Sequence, residues 1–167
     1  LLFDMPPATA IEPCDVSDVA HAFCRAAVNP AGTVHTSDTL LIAGGAGWRI
    51  MYRDYLDMML RAFGLGGNFL PTAAFGDGPF HCAFMDTARS ERLLQYQRHT
   101  FRSFISRVRR ERRVTRALVT MVRPIARAYL LSRSPHFRTY LGRRAHGEAA
   151  RLLLRFRACF GLRLTRG

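Results

Sequence analysis

The sequence has 167 residues, of which 49% are hydrophobic, and its formal net charge is +13. These values are typical of one globular domain and exclude an intrinsically disordered chain. Every one of the 25 basic residues is arginine, and their distribution is uneven. Residues 1–100 contain seven Arg and ten Asp or Glu, a net of −3, whereas residues 101–167 contain 18 Arg and two acids, a net of +16.

The start of the chain and its cysteines indicate a cellular compartment. No apolar run approaches the roughly 18 residues of a membrane span, and no signal-peptide pattern occurs at the start. The four cysteines are scattered without a C-x-x-C pair, which favours free thiols in a reducing cytoplasm over a disulfide framework or a zinc site. We therefore expect a cytoplasmic protein, which its basic C-terminal region could hold at the periphery of a membrane. Since the first residue is Leu1, we also expect a partial chain.

The first predicted helix follows residue 15. Either Asp15 or Ser17 can cap it, and Asp18 lies in its first turn, where the helix dipole favours a negative charge. The predicted buried face consists of the apolar residues that recur at helical spacing: Val16, Val19, Phe23 and Ala26.

A continuously apolar run over residues 39–43 predicts a buried strand, typical of a parallel sheet covered on both faces. A glycine-rich turn follows, and the next helix is predicted from Ile50 to Phe63, with Gly64 as its C-cap. Residues 64–84 are expected to form a long loop, with one short strand over residues 83–85.

Two more helices are predicted beyond this loop. The first covers residues 88–96 and is capped by Asp86 or Thr87, and the second begins at Phe101 after the cap residue Thr100. The predicted buried stripe of the second helix consists of Phe101, Phe104, Ile105 and Val108.

The arginine-rich region beyond Val108 is predicted to be helical, with breaks near Pro124 and near residues 134–135 and a final basic amphipathic helix over residues 148–160. Three interpretations of this region remain open. The first is a basic extension packed on the rest of the protein. The second is a surface that binds an anionic membrane, and the third is a stripe that binds nucleic acid. Binding of nucleic acid is the least favoured of the three interpretations.

Three segments carry a resemblance to a known family. Val16–Ala22 (VSDVAHA) resembles the pattern V-x-D-V-A-x-A, and Leu41–Gly45 (LIAGG) resembles a late N-I-G-G strand and turn, with Ala43 in place of Asn. Met85–Tyr96 resembles D-T-S-R followed by L-G-W/Y. In this order, over residues 8–105, they are similar to the C-terminal portion of the extended short-chain dehydrogenases/reductases, the NAD-dependent epimerase/dehydratase family.

The resemblance implies an α/β fold, with part of a Rossmann-like, doubly wound sheet and a mostly helical C-terminal lobe. Residues 1–105 would be the substrate-binding part, and residues 106–167 a basic helical extension. The full-length protein would use NAD or NADP and a small-molecule substrate. Its cofactor would be bound by an N-terminal segment that is missing from this sequence.

The family's catalytic and cofactor-binding motifs are not found. Gly44–Gly47 is the one glycine-rich turn that could be mistaken for the cofactor-binding turn, and its glycines lack the family's G-x-x-G-x-x-G spacing. The family's Tyr-x-x-x-Lys pair cannot form because the sequence has no lysine. Tyr129 and Tyr140, which have arginine four residues later, lie outside the resemblance. We therefore assign no catalytic or cofactor-binding residue and expect the chain alone to bind no NAD(P)H and to be inactive.

The substrate-side positions depart from those of sugar-nucleotide epimerases. Ile11 and Phe75 stand where such enzymes carry arginines that grip a diphosphate, so a less polar substrate is expected. The candidate substrate-binding residues are Ile11, Phe75, Phe80 and Phe84, although for each phenylalanine taken singly packing of the lobe is the favoured role. The pairs His21/Cys24 and His81/Cys82 lack two further ligands each, so no metal site is predicted. The alternative function is a non-catalytic basic module that binds an anionic membrane or nucleic acid.

Overall fold

The computed structural model describes residues 2–28, 34, 35 and 37–145. Within these residues the chain forms seven α-helices, two single turns of 3₁₀-helix at Ala46–Trp48 and Thr72–Ala74, and two short strands, β1 (Ala10–Ile11) and β2 (Ile50–Met51). The helices are α1 (Val16–Val28), α2 (Tyr52–Ala62), α3 (Ala88–Leu94), α4 (Phe101–Glu111), α5 (Arg113–Met121), α6 (Arg123–Arg133) and α7 (residues 135–145).

Helices therefore dominate, with a small sheet in which β1 pairs antiparallel with β2, and Ile11 lies opposite Ile50. Across the described part of the chain this is the only sheet, and it is not a Rossmann-like parallel one. The strands predicted over residues 39–43 and 83–85 were wrong. In the first of these segments Ala43 is buried, and Leu40 and Ile42 are half-buried against side chains of the α1/α3 cluster, while Leu41 is 48% exposed.

The first hydrophobic cluster joins α2 to α4, and the predicted buried stripe of α4 is confirmed. Its buried members are Trp48, Ala62, Phe101 and Ile105, and the half-buried residues packed on them include Tyr55, Met58, Met59, Phe104 and Val108. Thr100 caps α4 as predicted, because its side chain accepts from the backbone N–H of Ser103 while the Ser103 hydroxyl accepts from the backbone N–H of Thr100.

The second cluster joins α1 to α3 through Ala22, Leu94 and Tyr96. The predicted buried face of α1 was wrong at Val16 and Phe23, which are 78% and 70% exposed. The buried residues of α1 are instead Asp18 and Ala22. A polar contact of Asp18, described below, has set the rotation of this helix.

The third cluster brings the C-terminal helices against the N-terminal segment: Leu131 of α6 packs with Phe3 and Ala74. The predicted breaks are confirmed, since α5 and α6 are separated at Val122 and α6 ends before Ser134. The expected division between residues 105 and 106 falls inside α4, which runs through both positions. The helix predicted over residues 148–160 lies outside the described residues.

Candidate functional site

Asp18, the acid of the first motif, binds the segment that follows the third motif. Its carboxylate accepts from the backbone N–H groups of Arg98 (3.2 Å) and His99 (3.0 Å), and Nδ1 of His99 lies 2.6 Å from its other oxygen. Because a carboxylate only accepts, Nδ1 must carry the hydrogen of this contact. The side chain of Asp18 is 1% exposed, and the contact with Arg98 joins residues that are 80 positions apart in the sequence.

Tyr96, in the third motif, binds the backbone of Ala43, in the second. Its hydroxyl accepts from the N–H of Ala43 at 3.1 Å and donates to the carbonyl of the same residue at 2.8 Å. Gln97 Nε2 donates to that carbonyl at 3.3 Å and to Thr87 Oγ1 at 3.0 Å. The hydroxyl thus supplies the backbone partners that a neighbouring strand would otherwise provide.

Glu12 binds the glycine-rich turn Gly44–Gly47, which overlaps the end of the second motif. Its carboxylate accepts from the N–H of Gly45 (2.9 Å), from Nε of Arg49 (3.1 Å) and from the N–H of Met85 (3.1 Å). Gly45 has a φ of +71°, and a side chain there would collide with the side chain of Gln97. The N–H of Gly45 in this turn is therefore already bound to a carboxylate of the protein itself.

A second buried acid, Asp15, joins the start of α1 to α4. It accepts from the N–H of Ser17 at 2.9 Å, which confirms Asp15 as the cap of α1, and it pairs with the guanidinium of Arg107. Burial tends to raise the pKa of Asp15, but the Ser17 N–H and Arg107 outweigh burial, and the net pKa is lowered. Burial, reinforced by the nearby Asp18 and Asp15, raises the pKa of the Cys14 thiol to about 11.

A cleft of two adjoining hollows lies beside α2. The smaller has a volume of about 280 Å³ and the larger about 820 Å³. The residues that line both are Pro7, Arg53, Asp54, Thr72 and Phe75. The larger hollow extends to α7, which contributes His136, Thr139, Tyr140 and Arg143. An aromatic wall with convergent cations and carboxylates suits a small molecule that has both an apolar and a polar part.

The four candidate substrate-binding residues are not brought together in this cleft. Phe75 lines both hollows, and its ring packs 5.6 Å from that of Phe3. Ile11 lies in β1, Phe80 stacks on the ring of His81 at 5.0 Å, and Phe84 lies under the guanidinium of Arg49; these three line neither hollow. Of the four candidate residues, Phe75 is therefore the one that lines the cleft.

Sequence patterns gave no reason to select the charged residues of the cleft. Arg53 and Asp54 are near the start of α2, where charged residues are typical of a helix side that faces solvent. His136 and Arg143 come from α7, which is more than 60 residues away along the chain from Phe75. Only the packing of α7 beside residues 72–77 makes these groups neighbours.

In the described part of the chain, no group of three or more His, Cys, Asp or Glu side chains is placed to hold a metal ion. Nor is any of the described helices long and apolar enough to cross a membrane. The three described cysteines, Cys14, Cys24 and Cys82, are free. No protein-family model matches the chain, and neither a curated protein nor a solved structure is similar to it.

Proposed function

We propose that this chain is the substrate-binding portion of an NAD(P)-dependent epimerase, dehydratase or reductase of the extended short-chain dehydrogenase/reductase type. The observation that carries the proposal is the convergence of the three motifs. Asp18 of the first motif binds the amides directly after the third, and Tyr96 of the third binds Ala43 of the second. Motifs that belong together in a family are expected to serve one structural unit.

In this proposal the described residues are the part of a doubly wound protein that lies against its substrate. Support comes from the buried state of the linking groups, since Asp18 is 1% exposed and Tyr96 is 0% exposed. Buried polar side chains with complete hydrogen bonds specify one arrangement of the segments that they join. The missing parallel sheet would belong to the N-terminal segment.

The residues present do not fit the cofactor. A dinucleotide pyrophosphate needs free backbone N–H groups at a glycine-rich turn before a helix. At Gly45 that N–H is donated to Glu12, whose carboxylate is 1% exposed and would repel a phosphate. We therefore assign no chemical step to this chain, and the cofactor site and the Tyr-x-x-x-Lys pair would come from the N-terminal segment.

The cleft beside α2 is the proposed substrate site. Phe75 offers an apolar wall, while Arg53 and Arg143 offer cations and Asp54 offers a carboxylate. This mixture fits a small hydroxy or keto compound with an apolar portion. Ile11 and Phe75, which stand in place of arginines, disfavour a sugar nucleotide. The proposed ligand class is therefore small aryl ketones and aryl alcohols.

Ligand binding by the purified chain tests this proposal. Fluorescence titration with NADH should give no binding, and thermal-shift measurements should find stabilisation by an aryl ketone or aryl alcohol but not by UDP-glucose. Tyr140→Ala, in the cleft, should abolish the stabilisation, whereas Tyr129→Ala, an exposed tyrosine outside the cleft, should retain it. Micromolar binding of NADH, or stabilisation that survives Tyr140→Ala, would contradict the proposal.

The coding sequence upstream of Leu1 gives an independent test of the family. A strand followed by G-x-x-G-x-x-G, and later by Tyr-x-x-x-Lys, would support it. An in-frame start codon directly before Leu1, with neither motif, would favour the non-catalytic alternative.

A further inference from the structure

Three polar side chains of helices α5 and α6 contact the backbone or ring of residues after α2, although all three remain exposed. Thr120 Oγ1 lies 2.8 Å from the carbonyl oxygen of Arg116 and 3.1 Å from that of Gly64, and Nε of Arg127 donates to the carbonyl of Phe69 at 2.9 Å. The guanidinium of Arg123 lies 5.9 Å from the centre of the Phe69 ring. The covered side chains of the two helices are apolar: Leu131 is buried, and Val119, Ala126 and Leu130 are half-buried.

A second set of apolar side chains on the same helices faces solvent. We call it the outer apolar face, and it consists of Leu118 (62% exposed), Met121 (79%), Val122 (48%), Ile125 (71%) and Tyr129 (63%). Leu118 and Met121 are three residues apart on α5, and Ile125 and Tyr129 are four apart on α6, so each pair shares a helix side. These helices thus carry large apolar side chains in solvent in addition to those that pack inward, whereas a surface helix normally has a single apolar stripe that faces the core.

The charge around this face favours an anionic partner. Residues 112–145, which contain all of it, have nine Arg and no Asp or Glu. A second copy docking through the same face would bring these arginines together and be opposed by like-charge repulsion. Arginine side chains can lay their alkyl stems along apolar surface and extend the guanidinium toward phosphate headgroups.

We propose that the outer apolar face lies on an anionic membrane surface. Met121 and Ile125, its most exposed members, enter the boundary between headgroups and acyl chains, and the neighbouring arginines bind lipid phosphates. The helices lie in the plane of the interface. This binding does not depend on the proposed enzyme family, because it uses residues outside the three motifs and the substrate cleft.

Co-sedimentation of the full chain with lipid vesicles tests the proposal. The vesicles are phosphatidylcholine alone, or phosphatidylcholine with about 30% phosphatidylglycerol, at low and high salt. We expect at least about tenfold tighter binding to the anionic vesicles, weakened by salt. The double variant Met121→Ser/Ile125→Ser should lower that affinity by about tenfold or more, because each buried methylene contributes to partitioning.

The matched control is Val16→Ser/Phe23→Ser on α1, which removes two equally exposed apolar side chains far from the basic helices along the chain. It should bind anionic vesicles like the wild type. Circular dichroism checks that both variants remain folded, as is expected for exposed positions.

Four outcomes would overturn the proposal. One is equal binding to neutral and anionic vesicles, and another is unchanged binding by Met121→Ser/Ile125→Ser. A third is a dimer, seen by analytical ultracentrifugation without vesicle binding, that this variant abolishes, since it would assign the face to a second copy. The fourth is salt-sensitive binding of duplex DNA in the absence of vesicle binding, which would assign the basic region to nucleic acid.

Discussion

The hydroxyl of Tyr96 serves both backbone groups of Ala43, accepting from its N–H at 3.1 Å and donating to its carbonyl at 2.8 Å. Both residues are buried, at 0% and 2% exposed. The Tyr96 hydroxyl therefore satisfies both backbone groups of Ala43, a residue that has no strand beside it. This contact explains how residues 39–43 can be apolar and partly buried without belonging to a sheet.

Tyr96→Phe should destabilise the protein by about 1–3 kcal/mol, because the N–H of Ala43 is left buried without a partner. The carbonyl retains Gln97 Nε2, which limits the loss. The free energy of unfolding in urea measures the effect. Tyr129→Phe, at a site 63% exposed, should change it by less than about 0.5 kcal/mol, and equal effects of the two variants would contradict the assigned hydrogen bonds.

Asp18→Asn should cost about 1.5–3 kcal/mol, because the amides of Arg98 and His99 lose a charged acceptor. The introduced amide NH₂ would also face hydrogen-bond donors. Urea denaturation of Asp18→Asn and of the exposed control Asp77→Asn gives the comparison. A loss no larger than that of the control would mean that Asp18 does not link the first and third motifs.

Asp15 gives the stability a defined dependence on pH. Its pKa is lowered in the folded protein, so its contribution is complete above the unfolded value, about 4, and is lost as the pH falls through the lower folded value. Asp15→Asn should therefore be less stable than wild type at pH 7, and the difference should shrink below about pH 4. Thermal denaturation across this range measures it, and a constant difference would disprove the coupling to Arg107.

Cys14 should resist alkylation, because the pKa of its thiol is raised to about 11 and only the thiolate reacts readily. At pH 8, iodoacetamide should modify the exposed Cys24 and Cys82 first, with Cys14 at least about tenfold slower. Asp-N digestion separates Cys14 from Cys24 for mass spectrometry. Asp15→Asn and Asp18→Asn should each increase the rate at which Cys14 is alkylated, since the nearby carboxylates contribute to the raised pKa of its thiol. Equal rates for Cys14 and Cys24 in the wild type would contradict this prediction.

Local signals predicted much of the helical structure. Thr100 begins α4 because its side chain can satisfy a free N–H of the first turn, and the stripe of α4 from Phe101 to Val108 is buried as its spacing requires. The run over residues 39–43 was misinterpreted because a short apolar segment has the same pattern whether strands or side chains cover it. In the candidate cleft, Phe75 was selected from the sequence, whereas His136 and Arg143 were not.

The sequence by itself determined where α1 and α4 begin and where the helices break near Pro124 and Ser134, and it placed 18 of the 25 arginines beyond residue 100. Only the tertiary structure decided which side of each helix is covered. On α1, the hydrogen bonds available to Asp18 turn that acid inward and leave Val16 and Phe23 in solvent, because a buried carboxylate without partners would cost more than two exposed apolar side chains. Helical periodicity defines two faces, but the partner that each face meets comes from residues far away in the chain.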